Sequence, residues 1–271
     1  MAPKKRKASA IESEEGSEKM EQMKKIFEQF KEKINDLNKE LLTIADLDFS
    51  SLHKSNSGAA EFLLSWRSKK PELINDHSVQ LKDECWAHAF ARGLSAAMKQ
   101  RGCTDNFPTA ELLVKQIDRR CLSKSNALIK SINAAPSLRE FYGCDLVVHH
   151  RPKMTLLKEN EEFERFIERR LAIGQVAMCF PYLPGYSRFN HKNKAVFRPN
   201  AIDIQAMRYE LLDDHCAVIT GRGVLFENGK AIEFWEIQET RGPHFADGGY
   251  TRLERYKGLI TEVYEFKFDR P

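Results

Sequence analysis

The chain has 271 residues, 42% hydrophobic and 30% charged, with a formal net charge of +4. That length suffices for one good-sized core or two lobes packed on each other after a polar tail. No apolar run approaches the ~18–20 residues that span a bilayer, and the charge is too small and too mixed in sign beyond residue 7 to argue for nucleic-acid binding.

Residues 1–20 read as a polar tail. Pro3-Lys4-Lys5-Arg6-Lys7 is a compact basic cluster, followed by Glu12, Glu14, Glu15 and Glu18. Most charge runs are solvated tails. A short Lys/Arg cluster in an extended tail also suits an import receptor, so Lys4–Lys7 predicts nuclear, otherwise cytoplasmic, localisation. The amino terminus lacks the order of a secretory signal, which argues against secretion. Residues 21–53 predict an amphipathic helix. Met23, Phe27, Phe30, Ile34, Leu37, Leu41 and Ile44 alternate spacings of four and three. Such a stripe fits a coiled coil that makes a homodimer through residues 20–47, or a helix packed on its own domain. Residues 54–61 read as a flexible linker, and 62–271 as the globular part.

Within that part, CWAHAFARGLSAAMKQ (85–100) predicts a helix, with Trp86, Phe90, Leu94 and Ala97 on one stripe and Gly102 as the stop. A second helix is expected around 108–119, with Pro108 near its start. A third runs from an Asn160 N-cap to Gly174, its apolar face formed by Phe163, Phe166, Ile167 and Leu171. Strands are expected at 145–150, 175–180, 216–221, 231–237 and 261–268, all short runs rich in Val, Ile, Phe and Tyr. Asn228-Gly229 marks a hairpin turn between 224–226 and 231–235. The six cysteines (85, 103, 121, 144, 179 and 216) read as reduced thiols in the absence of a signal. Cys-x-x-Cys and His-x-x-x-His pairs are absent, and His149-His150 on one strand point to opposite faces. Neither a metal nor a cofactor is expected.

One cysteine opens an apolar helix, and His215 follows about 130 residues later. A free thiol is mostly protonated at neutral pH, whereas the positive end of a helix dipole and a neighbouring imidazolium favour the thiolate. Cys85 and His215 therefore form a candidate nucleophile and base.

These residues resemble the papain family of cysteine peptidases. Ser65-Trp66-Arg67 is similar to the Asp-Trp-Arg that opens the mature domain. His215-Cys216-Ala217-Val218-Ile219-Thr220-Gly221-Arg222-Gly223 resembles His-Ala-Val-x-x-Val-Gly-Tyr-Gly. Trp235 to Gly242, with Asp247-Gly248-Gly249-Tyr250, resembles Trp-x-x-Lys-Asn-Ser-Trp-Gly…Gly-Gly-Tyr. The resemblance implies an α+β, papain-like two-lobed fold, in which a helical lobe carries the nucleophile helix and faces a β-rich, barrel-like lobe. It also offers a third reading of 21–53, a pro-region helix, since Phe27, Ile34, Asn38 and Ala45-Asp46-Leu47 keep part of the family's pro-region pattern.

Departures from the family bear on chemistry. Lys82-Asp83-Glu84-Cys85-Trp86 replaces Cys-Gly-Ser-Cys-Trp, and Glu84 sets an acidic neighbour against thiolate formation. The oxyanion-hole glutamine corresponds to Val79, with Gln80 one position late. Glu239 stands where the family's asparagine orients the histidine, and Arg241 where a tryptophan shields that bond, which predicts a wetter contact. The expected function is a cysteine endopeptidase acting on peptide or protein substrates, with Cys85, His215, Glu239 and Gln80 as site residues. The alternative is a catalytically impaired peptidase-fold protein acting as an intracellular binding or scaffold protein.

Overall fold

The computed structural model describes residues 60–152, 157–189, 194–208 and 212–269. The expected basic tail, the amphipathic helix and most of the linker lie outside these residues. The strands among the described residues are β1 (Ala60–Ser65), β2 (Cys144–His150), β3 (Val176–Pro181), β4 (Asp214–Glu227), β5 (Lys230–Gln238), β6 (Tyr250–Glu254) and β7 (Glu262–Phe268). The α-helices among the described residues are α1 (Trp66–Lys69), α2 (Cys85–Gln100), α3 (Ala110–Gln116), α4 (Ala135–Tyr142), α5 (Leu157–Ile173), α6 (Pro184–Arg188) and α7 (Ala201–Arg208). None of the described helices is long and apolar enough to cross a membrane.

All pairings in the sheet are antiparallel, in the order β2-β7-β3-β4-β5-β6, with β1 also on β4. The 14-residue β4 organises the rest. Its first residues pair with β3, its later ones with β1, and β5 runs along the other edge. The glycines of Gly221-Arg222-Gly223 have a steric purpose here. A Cβ on Gly221 would sit 2.8 Å from the Leu64 carbonyl oxygen, and one on Gly223 only 2.4 Å from that of Glu61. Side chains at either place would push β1 off the sheet.

β3 and β4 are buried on both faces, so their sequences read as apolar runs rather than as alternation. Ala177, Cys179, Cys216 and Val218 pack with Phe90 and Leu94 of α2. Met178, Phe180, Ala217 and Ile219 pack on the other side with Leu171 of α5, Trp235 and Ile237. Gly93 brings α2 close to the sheet, because a Cβ there would lie 2.9 Å from Phe266 Cε2 and 3.0 Å from Ala177 Cβ. The fold is thus the expected α+β arrangement of helices against a large antiparallel sheet.

Several details differ from expectation. Ala60 and Glu61 belong to β1 rather than to the linker. Helix α3 begins at Ala110, because Thr109 Oγ1 accepts from Leu112 N–H and caps it, leaving Pro108 outside. Asn160 is buried inside α5, which starts at Leu157, and is not a cap. Residues 224–226 continue β4 instead of forming a separate strand, although the Asn228-Gly229 turn stands, both residues having positive φ. Cys179 and Cys216 form a disulfide and are not the reduced thiols expected. Strand register explains this, since the two face each other directly on β3 and β4 with Cα atoms 4.2 Å apart.

Glu164 of α5 gives the core a pH dependence. It is buried, accepts from Trp235 Nε1 at 2.7 Å and lies 3.8 Å from Arg255 Nε. Burial, only partly offset by the Trp235 bond and Arg255, pushes its carboxyl up to about 7. A carboxyl that holds its proton more tightly when folded withdraws stability as pH rises from its unfolded value toward 7. Replacing Glu164→Gln removes that slope. Urea unfolding of both proteins should show the variant gaining on wild type by on the order of 3 kcal/mol between about pH 4.5 and 8. Parallel stability curves would contradict the assignment.

Candidate active site

Cys85 is the first residue of α2, where the N–H groups of the opening turn lack intrahelical acceptors. Its neighbours fix the approach. Trp86 Nε1 donates to the Asn126 carbonyl oxygen at 2.8 Å, and Asn126 Nδ2 donates to Glu84 Oε1 at 2.9 Å. The Glu84 carboxylate is therefore held by the loop around Asn126.

His215 is the second residue of β4, paired opposite Phe180. Its ring meets those of Phe180 and Tyr182 edge-on, with centroids 5.4 and 5.7 Å away. The ring lines one cleft with Cys85, whose side chain helps to raise the imidazole pKa. On its other side, His215 Nε2 lies 2.8 Å from Glu239 Oε2. His215 is 5% exposed and Glu239 is fully buried. Burial opposes charge on both groups, but their mutual attraction and hydrogen bonds outweigh it, raising the His215 pKa and lowering that of Glu239.

Glu239 follows β5 directly and is fixed at every polar point. Its N–H donates to the Gly249 carbonyl at 2.9 Å, and its own carbonyl accepts from Arg92 Nη1 at 2.7 Å. Tyr186 Oη donates to Oε1, and the Thr240 N–H reaches Oε2 at 3.3 Å. The wetter contact expected from Arg241 does not occur. Arg241 donates to Tyr182 Oη and lies over the Tyr182 and Phe245 rings, and the His215–Glu239 bond itself is buried.

Gln80 lines the cleft with Cys85 and His215, one residue beyond the position the resemblance implies. The reason is the backbone: Val79 bridges Arg241, packs over Gly242 and is 54% exposed. The Gln80 N–H donates to the Thr240 carbonyl at 2.8 Å, Thr240 Oγ1 donates to Gln80 Oε1, and Gln80 Nε2 reaches the Lys82 carbonyl at 3.3 Å. Gln80, Cys85 and His215 thus line one cleft of about 760 Å³, together with Trp86 and Glu262, while Glu239 is fully buried and reaches the site through its bond to His215.

Arg92, Tyr186 and Tyr182 were not expected. Arg92 was detectable, because it sits two turns after Cys85 in the middle of a helix rich in Ala, Phe and Leu, and a charge buried there needs acceptors. It finds them in Glu239 and in Ser78, whose carbonyl and Oγ lie 3.3 and 3.2 Å from Nη2. Tyr186 and Tyr182 lie in a segment with no periodicity to flag them.

No protein-family model matches the chain, and no curated protein matches it by sequence. Solved structures do match in fold. The proform of the Amb a 11 cysteine protease, a major ragweed pollen allergen, superposes with a TM-score of 0.52 at 18% identity, over 83% of this chain and 64% of that one. The digestive procathepsin L 3 of Tenebrio molitor larval midgut gives a TM-score of 0.54 at 13% identity, over 80% of this chain and 72% of that one. The chain is similar in fold to papain-like cysteine protease proforms.

The His215–Glu239 pair makes stability bell-shaped in pH. Glu239, with its folded value depressed, contributes above its unfolded value of about 4.5 and loses that contribution in acid. His215, with its folded value raised, contributes fully below about 6.5 and loses that as pH climbs through its folded value. Changing Glu239→Gln should therefore cost about 3 kcal/mol in urea unfolding near pH 6, and less near pH 9. A pH-independent cost would contradict an ionised pair.

Proposed function

We propose that the chain is a papain-like cysteine endopeptidase. One observation carries this reading: a cysteine at the start of a helix lines one cleft with a histidine that is itself bonded to a buried carboxylate. The nucleophile of such a mechanism is the thiolate, with the histidine as its base. The thiolate attacks a peptide carbonyl carbon, and the carbonyl electron pair moves onto oxygen. The Cys85 backbone N–H and Gln80 Nε2 stabilise that oxyanion, the amide exchanging its long bond to Lys82 for one to substrate. Collapse of the intermediate expels the amine, which takes its proton from His215. His215, now neutral, accepts a proton from water as it attacks the thioester, and the carboxylic acid product leaves.

Glu239 replaces a neutral asparagine with a charge. It orients the ring through Nε2 and stabilises the imidazolium, as aspartate does in serine-type triads. Its longer stem fits because Tyr186 and Thr240 hold the carboxylate.

The test combines a thiol-reactive peptide electrophile with a fluorogenic peptide. Wild type should be labelled at Cys85 and should hydrolyse the peptide. Cys85→Ser and His215→Ala should each lower hydrolysis at least ~10³-fold. Labelling without hydrolysis would contradict turnover and favour the binding-protein alternative, and no selective labelling would contradict both the nucleophile and its base.

A further inference from the structure

Glu239 has one more methylene than the asparagine it replaces in the resemblance, and so one more rotatable bond between backbone and carboxylate. A bond to His215 through Oε2 alone would leave the group free to rotate about that contact. The second oxygen is therefore what fixes it, and Oε1 accepts from Tyr186 Oη. Tyr186 is itself held on all sides. Its ring packs edge-on against Phe180 and Phe197, with centroids 5.1 and 5.2 Å away, and its hydroxyl shares a 3.0 Å bond with Thr251 Oγ1. Its helix, α6, is pinned from the neighbouring segment. The Gly185 N–H donates to Oδ1 of buried Asp203 at 2.8 Å, and a Cβ at Gly185 would stand 2.2 Å from Asp203 Oδ2.

We propose that Tyr186 is a positioning residue for the Cys85–His215 pair, acting through Glu239 and itself placed by the Asp203–Gly185 contact. This rests on the peptidase reading above. The titratable and charged groups around the carboxylate are His215, Tyr186, Tyr182 and Arg241, with Arg92 at its main-chain side. Burial, then the Glu239 charge, raise the Tyr186 phenol well above its ordinary range, so it remains a donor throughout the working pH range. Without it, a buried carboxylate oxygen has lost its donor. Such a carboxylate turns away from His215 or takes up a proton, and both outcomes withdraw the charge that holds the imidazolium and the thiolate beside it.

The test is the pH profile of Cys85 alkylation by iodoacetamide, resolved by peptide mass spectrometry, in wild type, Tyr186→Phe, Glu239→Gln and the double variant. Tyr186→Phe keeps the buried ring, and circular dichroism checks each fold. Wild type should retain most of its rate at about pH 6. Tyr186→Phe should lose roughly 10-fold there, a one-unit shift, while staying within about twofold of wild type near pH 9. In the Glu239→Gln background the same change should do nothing further. A Tyr186→Phe profile superimposed on a normal wild-type profile, a uniform fall at every pH, or additive effects in the double variant would each overturn the role of Tyr186 alone. A wild type that loses its reactivity at about pH 6 would overturn the peptidase reading and this inference together.

Discussion

A buried ion pair between His215 and Glu239 is the constraint on which the rest of this structure depends. Removing two charges from water costs several kcal/mol per ion unless each finds partners. Much of the architecture around the cleft reads as the supply of those partners. β4 delivers the histidine, and the end of β5 delivers the glutamate. Arg92 of α2 binds the Glu239 main chain, α6 brings Tyr186 to the carboxylate, and Tyr182, bonded by Arg241, meets the imidazole edge-on. Elements distant in sequence are committed to one charge pair, and Cys85 lines the cleft beside it with His215.

The same arrangement accounts for the departures from the papain pattern. An asparagine orients a histidine without adding charge. A glutamate is longer and charged, and here it brings a phenol, a backbone N–H and a nearby guanidinium. Gln80 shows a compensation of another kind. The Val79–Arg241 bridge turns residue 79 outward, so the next residue along faces the cleft. The disulfide between Cys179 and Cys216 lines the same cleft and ties β3 to β4 beside His215.

What the sequence revealed follows from how local each signal is. The apolar stripe of α2, the strand runs and the Asn-Gly turn depend on spacing along the chain, and they were legible. Cys85 and His215 were legible because each sits in a distinctive local string. Partners that exist only through tertiary register were not. Tyr186 meets Glu239 across 53 residues, Arg92 meets it across 147, and Cys179 meets Cys216 because two strands pair in one register. Helix boundaries failed for a smaller reason. Thr109 outcompeted Pro108 as the start of α3 by accepting a backbone N–H, and α5 runs on past the expected Asn160 cap to Leu157.

The central claim is that Glu239 and Cys85 hold His215 as an imidazolium. Long-range 1H–15N correlation of the His215 ring, on uniformly labelled protein across pH, reads this directly. The account predicts two protonated ring nitrogens at about pH 8, well above the ordinary histidine midpoint of about 6.5. A neutral ring at that pH, titrating near 6.5, would contradict it.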